Sequence, residues 1–335
     1  MRFKRFIAVL SARNLEFIRD RSALSWNIVL PVLIVFGFAF AFTTSSQDLF
    51  KVGVYDQQKQ APTVEAFLKL KHIQFITVEA LETAITKVER HQLDMLLDSS
   101  SGSYWINDSS ANGYMLEQLL KRPGDTTLNK QTVTGDAIRY VDWLIPGVLG
   151  MNIMFSSLFG VGYVIVRYRK NGVLKRLKAT PLTAFEFLSA QVVSRLWLIV
   201  AVTSLVYAGT DLLVGFRMYG SYLSLLLVLV LGTFSMICLS LIVAARLSNE
   251  ETANGILNLV SWPMMMLSGV WFSLEGSPDI IQQLALIFPL THMIQAARAI
   301  MIDGDGLLQV TDHILILIIM SVVFMTIGAR SFKWE

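Results

Sequence analysis

Six long, uncharged and mostly apolar runs constrain this chain more than any other feature. They lie at residues 24–42, 143–166, 196–210, 218–245, 252–274 and 314–329. A helix needs about 20 such residues to cross a bilayer, because every backbone N–H and C=O group must be satisfied inside the segment. The third run is short, but its helix can extend back through residues 189–195, with Arg195 reaching towards the interface. We predict an α-helical integral membrane protein with six transmembrane helices at 24–42, 142–166, 189–213, 218–245, 252–274 and 312–331.

Composition agrees with a membrane protein and argues against a nucleic-acid-binding protein and against a fold held by disulfides. Only 16% of the residues are charged, against about 25% in soluble domains. A net charge of +3 is too small to favour a nucleic-acid-binding protein, so no nucleic acid is expected as a partner. The single cysteine, Cys238, rules out a disulfide framework within the chain.

The distribution of lysine and arginine predicts the orientation, because cytoplasmic flanks of spans carry the excess of positive charge. Residues 1–23 contain six basic residues, and so does the loop between the second and third spans. Long loops are translocated largely regardless of their charge. Both termini are therefore expected in the cytoplasm, and residues 43–141 outside it. The first run is longer than the apolar part of a signal peptide, so we expect it to be retained.

The N-terminal segment, residues 1–23, shows apolar residues at helical spacing with basic residues largely on the other side. We predict an amphipathic helix that lies in the headgroup plane of the membrane. Two roles remain open for this helix, a general interfacial anchor or a binding surface for a partner.

Residues 43–141 are polar, mixed in charge and long enough for a small domain. Strands are predicted at 51–55, 73–78, 93–97 and 102–106, and helices at 63–71, 79–91 and 111–121. This alternation favours an inserted extracytoplasmic α/β domain. It contains neither a spaced His/Cys/Asp cluster nor a catalytic triad, so we predict a lid or docking domain without catalytic or metal-binding residues.

Residues 276–311 are apolar but are interrupted by Pro289. The part before the proline is too short to cross a bilayer. We predict a pair of external re-entrant helices here. Two additional spans would also keep the C-terminus inside, so the charge rule leaves that alternative open.

The chain has the pattern of a transporter but no energy source of its own. It contains no G-x-x-x-x-G-K-[ST] phosphate loop, and no carboxylate lies at the centre of a span. We therefore expect no cofactor in this chain, and an energy source on a partner protein.

Residues 167–188 are the place where such a partner is expected to bind. Six basic residues precede Thr180 and Pro181, and a turn at Gly172 leads into a short helix with an apolar face. A helix of this kind suits docking into a groove of another protein. Alternatively, its charges only determine topology and contact lipid phosphates.

The same loop carries a resemblance to a known family. Gly172, Leu174, Arg176, Leu177, Thr180, Pro181 and Leu182 match the G-x-L-x-x-L/R-x-x-T-P-L pattern of the membrane subunits of type-2 ATP-binding-cassette exporters. Phe288-Pro-Leu-Thr-His-Met-Ile-Gln-Ala-Ala-Arg-Ala-Ile300 resembles the approach to their sixth span. Val52-Gly-Val-Tyr-Asp56 resembles the strand that opens their extracytoplasmic insertion.

The resemblance implies a permease of six spans, working as a homodimer or with a paralogue. It also implies two copies of a separate ATPase subunit that bind ATP and magnesium. It also implies ATPase coupling through the loop, by Gly172, Leu174, Arg176, Leu177, Thr180 and Pro181. The family often has glutamates in this loop, whereas this chain has Lys170, Asn171 and Lys175. The resemblance therefore extends to the docking helix but not to its ion pairs with the ATPase.

Our leading hypothesis is a permease that exports a hydrophobic or amphipathic substrate, such as a drug or lipid, across the cytoplasmic membrane. The alternatives are a membrane scaffold or sensor with a ligand-binding external domain and, third, a membrane-embedded enzyme. Methionine adapts to varied apolar shapes, so one part of the fifth span is a candidate translocation path, although ordinary helix packing explains it equally well. The candidates are Trp262, Met264, Met265, Met266, Trp271 and Phe272.

Overall fold

In the computed structural model the chain forms two compact units, Met1–Ala41 with Val141–Glu335, and Phe42–Tyr140. The structure describes residues 2–41, 50–55, 67–68, 70, 73–78, 80–98, 101–120, 129–133, 139–274 and 277–334. The elements in chain order are α1 Arg2–Arg19, α2 Arg21–Ala41, β1 Phe50–Tyr55, β2 Ile73–Val78, α3 Leu81–Glu89, β3 Met95–Asp98, β4 Ser103–Asn107, α4 Ala111–Leu120, β5 Asn129–Val133, α5 Tyr140–Ser157, a π-helical segment Leu158–Tyr163, α6 Val164–Lys170, α7 Val173–Lys178, α8 Ala184–Val214, α9 Tyr222–Ala244, α10 Glu250–Leu267, α11 Asp279–Ala285, α12 Pro289–Arg298, a second π-helical segment Ala299–Asp303, and α13 Thr311–Ser331.

Four helices of the larger unit are long and apolar enough to cross a membrane. They are Tyr140–Lys170, in which α5, the first π-helical segment and α6 are continuous, and then α8, α9 and α13. Two bent pairs, Phe3–Arg19 with Leu24–Phe38 and Asp279–Ala285 with Pro289–Asp303, raise the number to six if each pair is one span. The chain is thus mostly helical, with four to six candidate spans in the described part.

The helix at the predicted fifth span is shorter than expected. The apolar run predicts a span over 252–274, but α10 ends at Leu267. The Ser268 N–H closes the last turn on the Met264 carbonyl oxygen at 3.0 Å. Gly269 then adopts a left-handed conformation with φ of 70°, which ends the helix without a steric penalty. Apolar composition continues beyond the helix, so hydropathy alone could not find this end.

The other differences also concern helix ends. The N-terminal helix, predicted over 1–23, stops at Arg19, and α2 begins at Arg21. Between α11 and α12 the chain bends by 97°. Pro289 stands in the first turn of α12, where its missing N–H costs no helical hydrogen bond. The proline therefore separates two short helices, as the sequence predicts.

Close helix packing in the larger unit depends on small residues. A Cβ atom added to Gly232 of α9 would come within 2.9 Å of the Cβ of Met293 in α12 and still closer to its sulfur. A Cβ on Gly147 of α5 would lie 3.0 Å from the Val270 Cα atom. The absence of a side chain at both positions lets the neighbouring segments approach closely.

The smaller unit contains a five-stranded sheet with the order β2-β1-β3-β4-β5. Strand β1 runs parallel to β2 and β3, β3 is antiparallel to β4, and β4 is parallel to β5. Val52, Val54, Met95 and Leu97 are buried in one core cluster with Tyr104. The apolar side chains of the central strands thus form the core of this unit.

Most predicted elements of this unit appear near their expected positions. β3 begins at Met95 rather than at residue 93, and α3 occupies Leu81–Glu89 within the predicted 79–91. β5 was not predicted, because its sequence Asn-Lys-Gln-Thr-Val is polar and four of its five residues are exposed. The helix predicted at 63–71 lies largely outside the described residues.

Candidate functional site

The short helix α7 is the predicted coupling helix, and a glycine turn positions it. Gly172 has φ of 69° and stands immediately before α7. No atom lies within 4 Å of a Cβ added there. The position favours glycine for its backbone conformation, because left-handed angles cost other residues about 1–2 kcal/mol.

The predicted coupling residues divide by exposure. Leu174 is fully buried, whereas Leu177 is half-buried. Arg176, Thr180 and Pro181 are exposed. Leu174 therefore anchors α7 to the rest of the chain, and the accessible side of α7 presents Leu177 with the surrounding basic side chains.

The chain leaves α7 through a turn and starts α8 with a capping box. The Thr180 hydroxyl donates to the Leu177 carbonyl oxygen at 2.6 Å, and Arg5 of α1 donates to the Pro181 carbonyl oxygen. α8 then begins at Ala184 with Thr183 as its N-cap, whose N–H donates to Glu186 Oε2 at 2.9 Å. Because proline is tolerated in a first helical turn, the sequence predicts that Thr180 and Pro181 start the next helix. This prediction is wrong, because the Thr183–Glu186 box satisfies the first free N–H groups three residues later.

A buried arginine holds the end of α6 immediately before α7. The Arg169 guanidinium donates to the carbonyl oxygens of Ala244 at 2.8 Å, of Ala245 at 3.0 Å and of Lys333 at 2.7 Å. It also donates to the Leu247 carbonyl oxygen. Because one side chain binds the end of α9 and the segment after α13, Arg169 joins both of these segments to the end of α6.

An aromatic cluster lies beside Arg169. The Phe187 ring of α8 is 6.2 Å from the Phe332 ring and 5.7 Å from the Trp334 ring, measured between centroids. The Arg169 guanidinium lies 5.7 Å from the centroid of the Phe332 ring. The residues after α13 are thereby packed against the start of α8.

Ionic contacts join α1 and α10 to the same region. Glu16 of α1 lies 3.6 Å from the Arg167 guanidinium and accepts a hydrogen bond from the Tyr168 hydroxyl. Glu250 at the start of α10 lies 3.6 Å from Lys170 Nζ and accepts from the Tyr163 hydroxyl at 2.8 Å. α6 is therefore bound to both helices next to the turn that leads into α7.

A cavity of about 700 Å³ lies between α1, α2, α5–α6, α8 and α10. Drug-sized ligands bind in cavities of about 300–1,000 Å³ with mostly apolar walls and a few polar groups. Aromatic and aliphatic side chains form most of this wall. The aromatic members are Phe17, Trp26, Phe155, Phe159, Trp262 and Trp271.

Half of the predicted path residues reach the cavity. Trp262, Met265 and Trp271 line it, and the Trp271 ring stacks on that of Phe38 with centroids 5.5 Å apart. Met264 is fully buried, while Met266 and Phe272 are exposed, and none of these three belongs to the lining. The helical periodicity of α10 separates the consecutive methionines onto different faces, so they do not act as one group.

A polar cluster in the same cavity was not predicted from the sequence. The Asn152 amide donates to the Asn27 carbonyl oxygen at 3.2 Å, and the Ser156 hydroxyl donates to the Asn27 side chain. All three residues line the cavity. The spacing of Asn152 and Ser156, four residues apart on one helix face, was the only available signal.

Comparison with known proteins identifies the family. The sequence model of the family described as ABC-2 family transporter protein matches residues 21–330. This chain belongs to the ABC-2 transporter family. The expected resemblance is thereby confirmed, and family membership favours transport over a scaffold, sensor or enzyme.

Three relatives illustrate how the ABC-2 permease compares with known proteins. It is 28% identical to the inner membrane transport permease YhhJ of Escherichia coli strain K12 over 54% of this chain and 49% of YhhJ. It is 19% identical to the probable multidrug ABC transporter permease YbhS of the same strain, over 96% of this chain and 95% of YbhS. It is 25% identical to the daunorubicin resistance ABC transporter permease protein DrrB1 of Streptomyces coeruleorubidus, over 50% of this chain and 59% of DrrB1. The chain thus matches about half the length of YhhJ and nearly all of YbhS.

Proposed function

We propose that this ABC-2 permease is the membrane subunit of an ATP-driven exporter that moves a hydrophobic or amphipathic substrate out across the cytoplasmic membrane. The main support is the cavity of about 700 Å³, whose wall is largely apolar and aromatic. YbhS is named a probable multidrug permease and DrrB1 a daunorubicin resistance permease, which agrees with a substrate of this kind.

The energy is supplied by a separate ATPase subunit that binds ATP and magnesium, because this chain lacks a phosphate loop. We infer two ATPase copies and a second permease subunit, either identical or a paralogue.

The chain contributes six spans if each bent pair crosses the membrane once. Alternatively, α10 crosses the membrane and the pair around Pro289 is re-entrant. Both termini and α7 face the cytoplasm, and the sheet-containing unit lies outside.

Coupling uses the continuous helix Tyr140–Lys170. Met151, Phe155 and Phe159 of this helix line the cavity, and its last residue is separated from α7 only by Asn171 and Gly172. A force that the ATPase applies to α7 is therefore passed to the cavity wall along one helix. Arg169 passes the same movement to the ends of α9 and α13, because its guanidinium binds their carbonyl oxygens.

The test uses the permease purified together with its ATPase. Leu177→Asp and Arg176→Glu change the exposed side of α7 and leave the buried Leu174 intact. We expect substrate-stimulated ATP hydrolysis to fall at least fivefold in both variants, since each places a negative charge on the docking surface. Arg330→Glu, an exposed charge reversal on α13, is the matched control and should retain normal stimulation. Normal stimulation in the two α7 variants would contradict coupling through this helix.

A further inference from the structure

The charged side chains of the cavity are gathered at the end next to α7. They are Glu16, Asp20, Arg167 and Arg195. The rest of the lining is apolar, apart from a few amides and hydroxyls. The cavity thus has a charged end and an apolar body, which is the division of an amphiphilic molecule.

Two of these charges neutralise each other. Glu16 lies 3.6 Å from the Arg167 guanidinium. It is also paired with Arg13 at 2.5 Å and accepts from the Tyr168 hydroxyl. The Glu16 carboxylate is therefore occupied by the protein itself.

Arg195 is bound differently from the other charges. Its guanidinium lies 4.7 Å from the centroid of the Phe17 ring, and a Cβ atom added to Gly160 would be 3.5 Å from its Cζ. Within the described part of the chain it makes no ion pair and no hydrogen bond; the carboxylates of Glu16 and Asp20 act on its charge only from a longer distance. A guanidinium carries five N–H donors, and a half-buried cation without hydrogen bonds is costly. The carboxylate or phosphate of a ligand would satisfy it.

A second unsatisfied polar group lies further along α8. Thr203 is 1% exposed and lines the cavity. Among the described residues its hydroxyl has no hydrogen-bond partner. Residues 195, 199 and 203 follow one face of α8, so Thr203 lies about 12 Å from Arg195 along the helix axis. The wall therefore offers a cation at one end and a free hydroxyl about two turns away.

We propose that the cavity takes an amphiphile with one anionic headgroup, which the Arg195 guanidinium binds, while its apolar tail lies among the aromatic side chains. This inference rests on the proposed export function and specifies its substrate. Phe17 holds the guanidinium plane, and Gly160 leaves the space in which it lies. Thr203 donates to a polar group in the middle of the substrate.

The test measures the binding of two probes that differ only in charge. The anionic probe is 11-(dansylamino)undecanoic acid and the neutral probe is its methyl ester. Trp26, Trp262 and Trp271 line the cavity, so energy transfer from tryptophan to dansyl reports binding. The complete permease–ATPase complex is placed in phosphatidylcholine nanodiscs, and the signal of empty nanodiscs is subtracted.

We expect the acid to bind the natural protein about tenfold more tightly than the ester, the effect of one charge-assisted hydrogen bond. Arg195→Gln should remove this preference and leave ester binding within about twofold, which also shows that the variant is folded. Arg195→Lys should keep part of the preference. Arg330→Gln removes an exposed charge outside the lining and should change nothing.

Two results would overturn the inference and are distinguishable from each other. If the acid and the ester bind equally, or if Arg195→Gln keeps the preference, the anionic specificity is wrong while the cavity remains a substrate site. If neither probe gives energy transfer above the empty nanodiscs, the cavity does not hold such amphiphiles, and the proposed export route fails with it.

Discussion

Replacing Arg169 by glutamine tests whether the end of α6 is held in place by one buried side chain. Its guanidinium donates to the carbonyl oxygens of four residues, Ala244, Ala245, Leu247 and Lys333. Glutamine has only two N–H donors and a shorter side chain. It therefore cannot reach the end of α9 and the segment after α13 together.

The expected loss of stability follows from the carbonyl oxygens that are left without a hydrogen-bond donor. All four carbonyl oxygens lose this donor, but the Ala245 oxygen still accepts from the Lys333 N–H at 3.0 Å. We therefore count three oxygens as unsatisfied. A buried acceptor without a partner costs about 1–3 kcal/mol. Leu247 is half-buried and Lys333 is exposed, so we take the lower limit for each oxygen and expect a total loss of about 3 kcal/mol. The midpoint of thermal unfolding should then fall by roughly 5 °C.

The assay is thermal unfolding of the purified permease in detergent, followed by tryptophan fluorescence. Arg167→Gln is the matched control on the same helix, because Arg167 is 44% exposed and forms one ion pair of 3.6 Å. Such exposed pairs contribute about 0–1 kcal/mol, so the midpoint should change by less than about 2 °C. Equal midpoints for Arg169→Gln and the natural protein, or an equal loss in Arg167→Gln, would refute the reasoning.

Four further substitutions test three individual positions. Gly172→Ala should destabilise the protein by about 1 kcal/mol and Gly172→Asn by less, because asparagine tolerates left-handed angles better; unfolding midpoints of the two variants decide this. Gly232→Val should lower stability by about 1–3 kcal/mol, since the new side chain overlaps Met293, and an unchanged midpoint would contradict the close packing. Tyr104→Phe removes the hydroxyl that donates to Glu117 at 2.9 Å inside the smaller unit. We expect this unit to lose about 1–2 kcal/mol of stability, measured by hydrogen exchange of its backbone amides. Unaltered protection would show that the hydrogen bond contributes nothing.

The sequence predicts the helices best where apolar composition and helix length coincide. The predicted span 312–331 corresponds to α13 at Thr311–Ser331, and the turn at Gly172 follows from the local sequence. The end of α10 was missed because Val270 and Trp271 are as apolar as the helix before them. Hydropathy reports burial or lipid contact, not hydrogen bonding, so it cannot locate a helix end inside an apolar run.

The candidate site was predicted less completely than the fold. The position of Arg169 among six basic residues indicates topology only, because its role depends on carbonyl groups from residues 244–247 and 333. Similarly, Leu174 and Leu177 look equivalent in the sequence, but only Leu174 is fully buried. Such roles arise from contacts between distant segments, which local pattern does not encode.

The π-helical segment Leu158–Tyr163 gives the long helix one residue more than a regular α-helix would need. Each residue turns an α-helix by about 100°, so this extra residue sets back every later side chain by about that angle. Val164 and Arg167 consequently lie on the same cavity wall as Met151 and Phe155. The rotation of the cavity wall relative to α7 is thus determined by the number of residues in this segment. For the proposed export, an insertion or deletion here would change the relation between the cavity and α7 in a way that no side-chain substitution can reproduce.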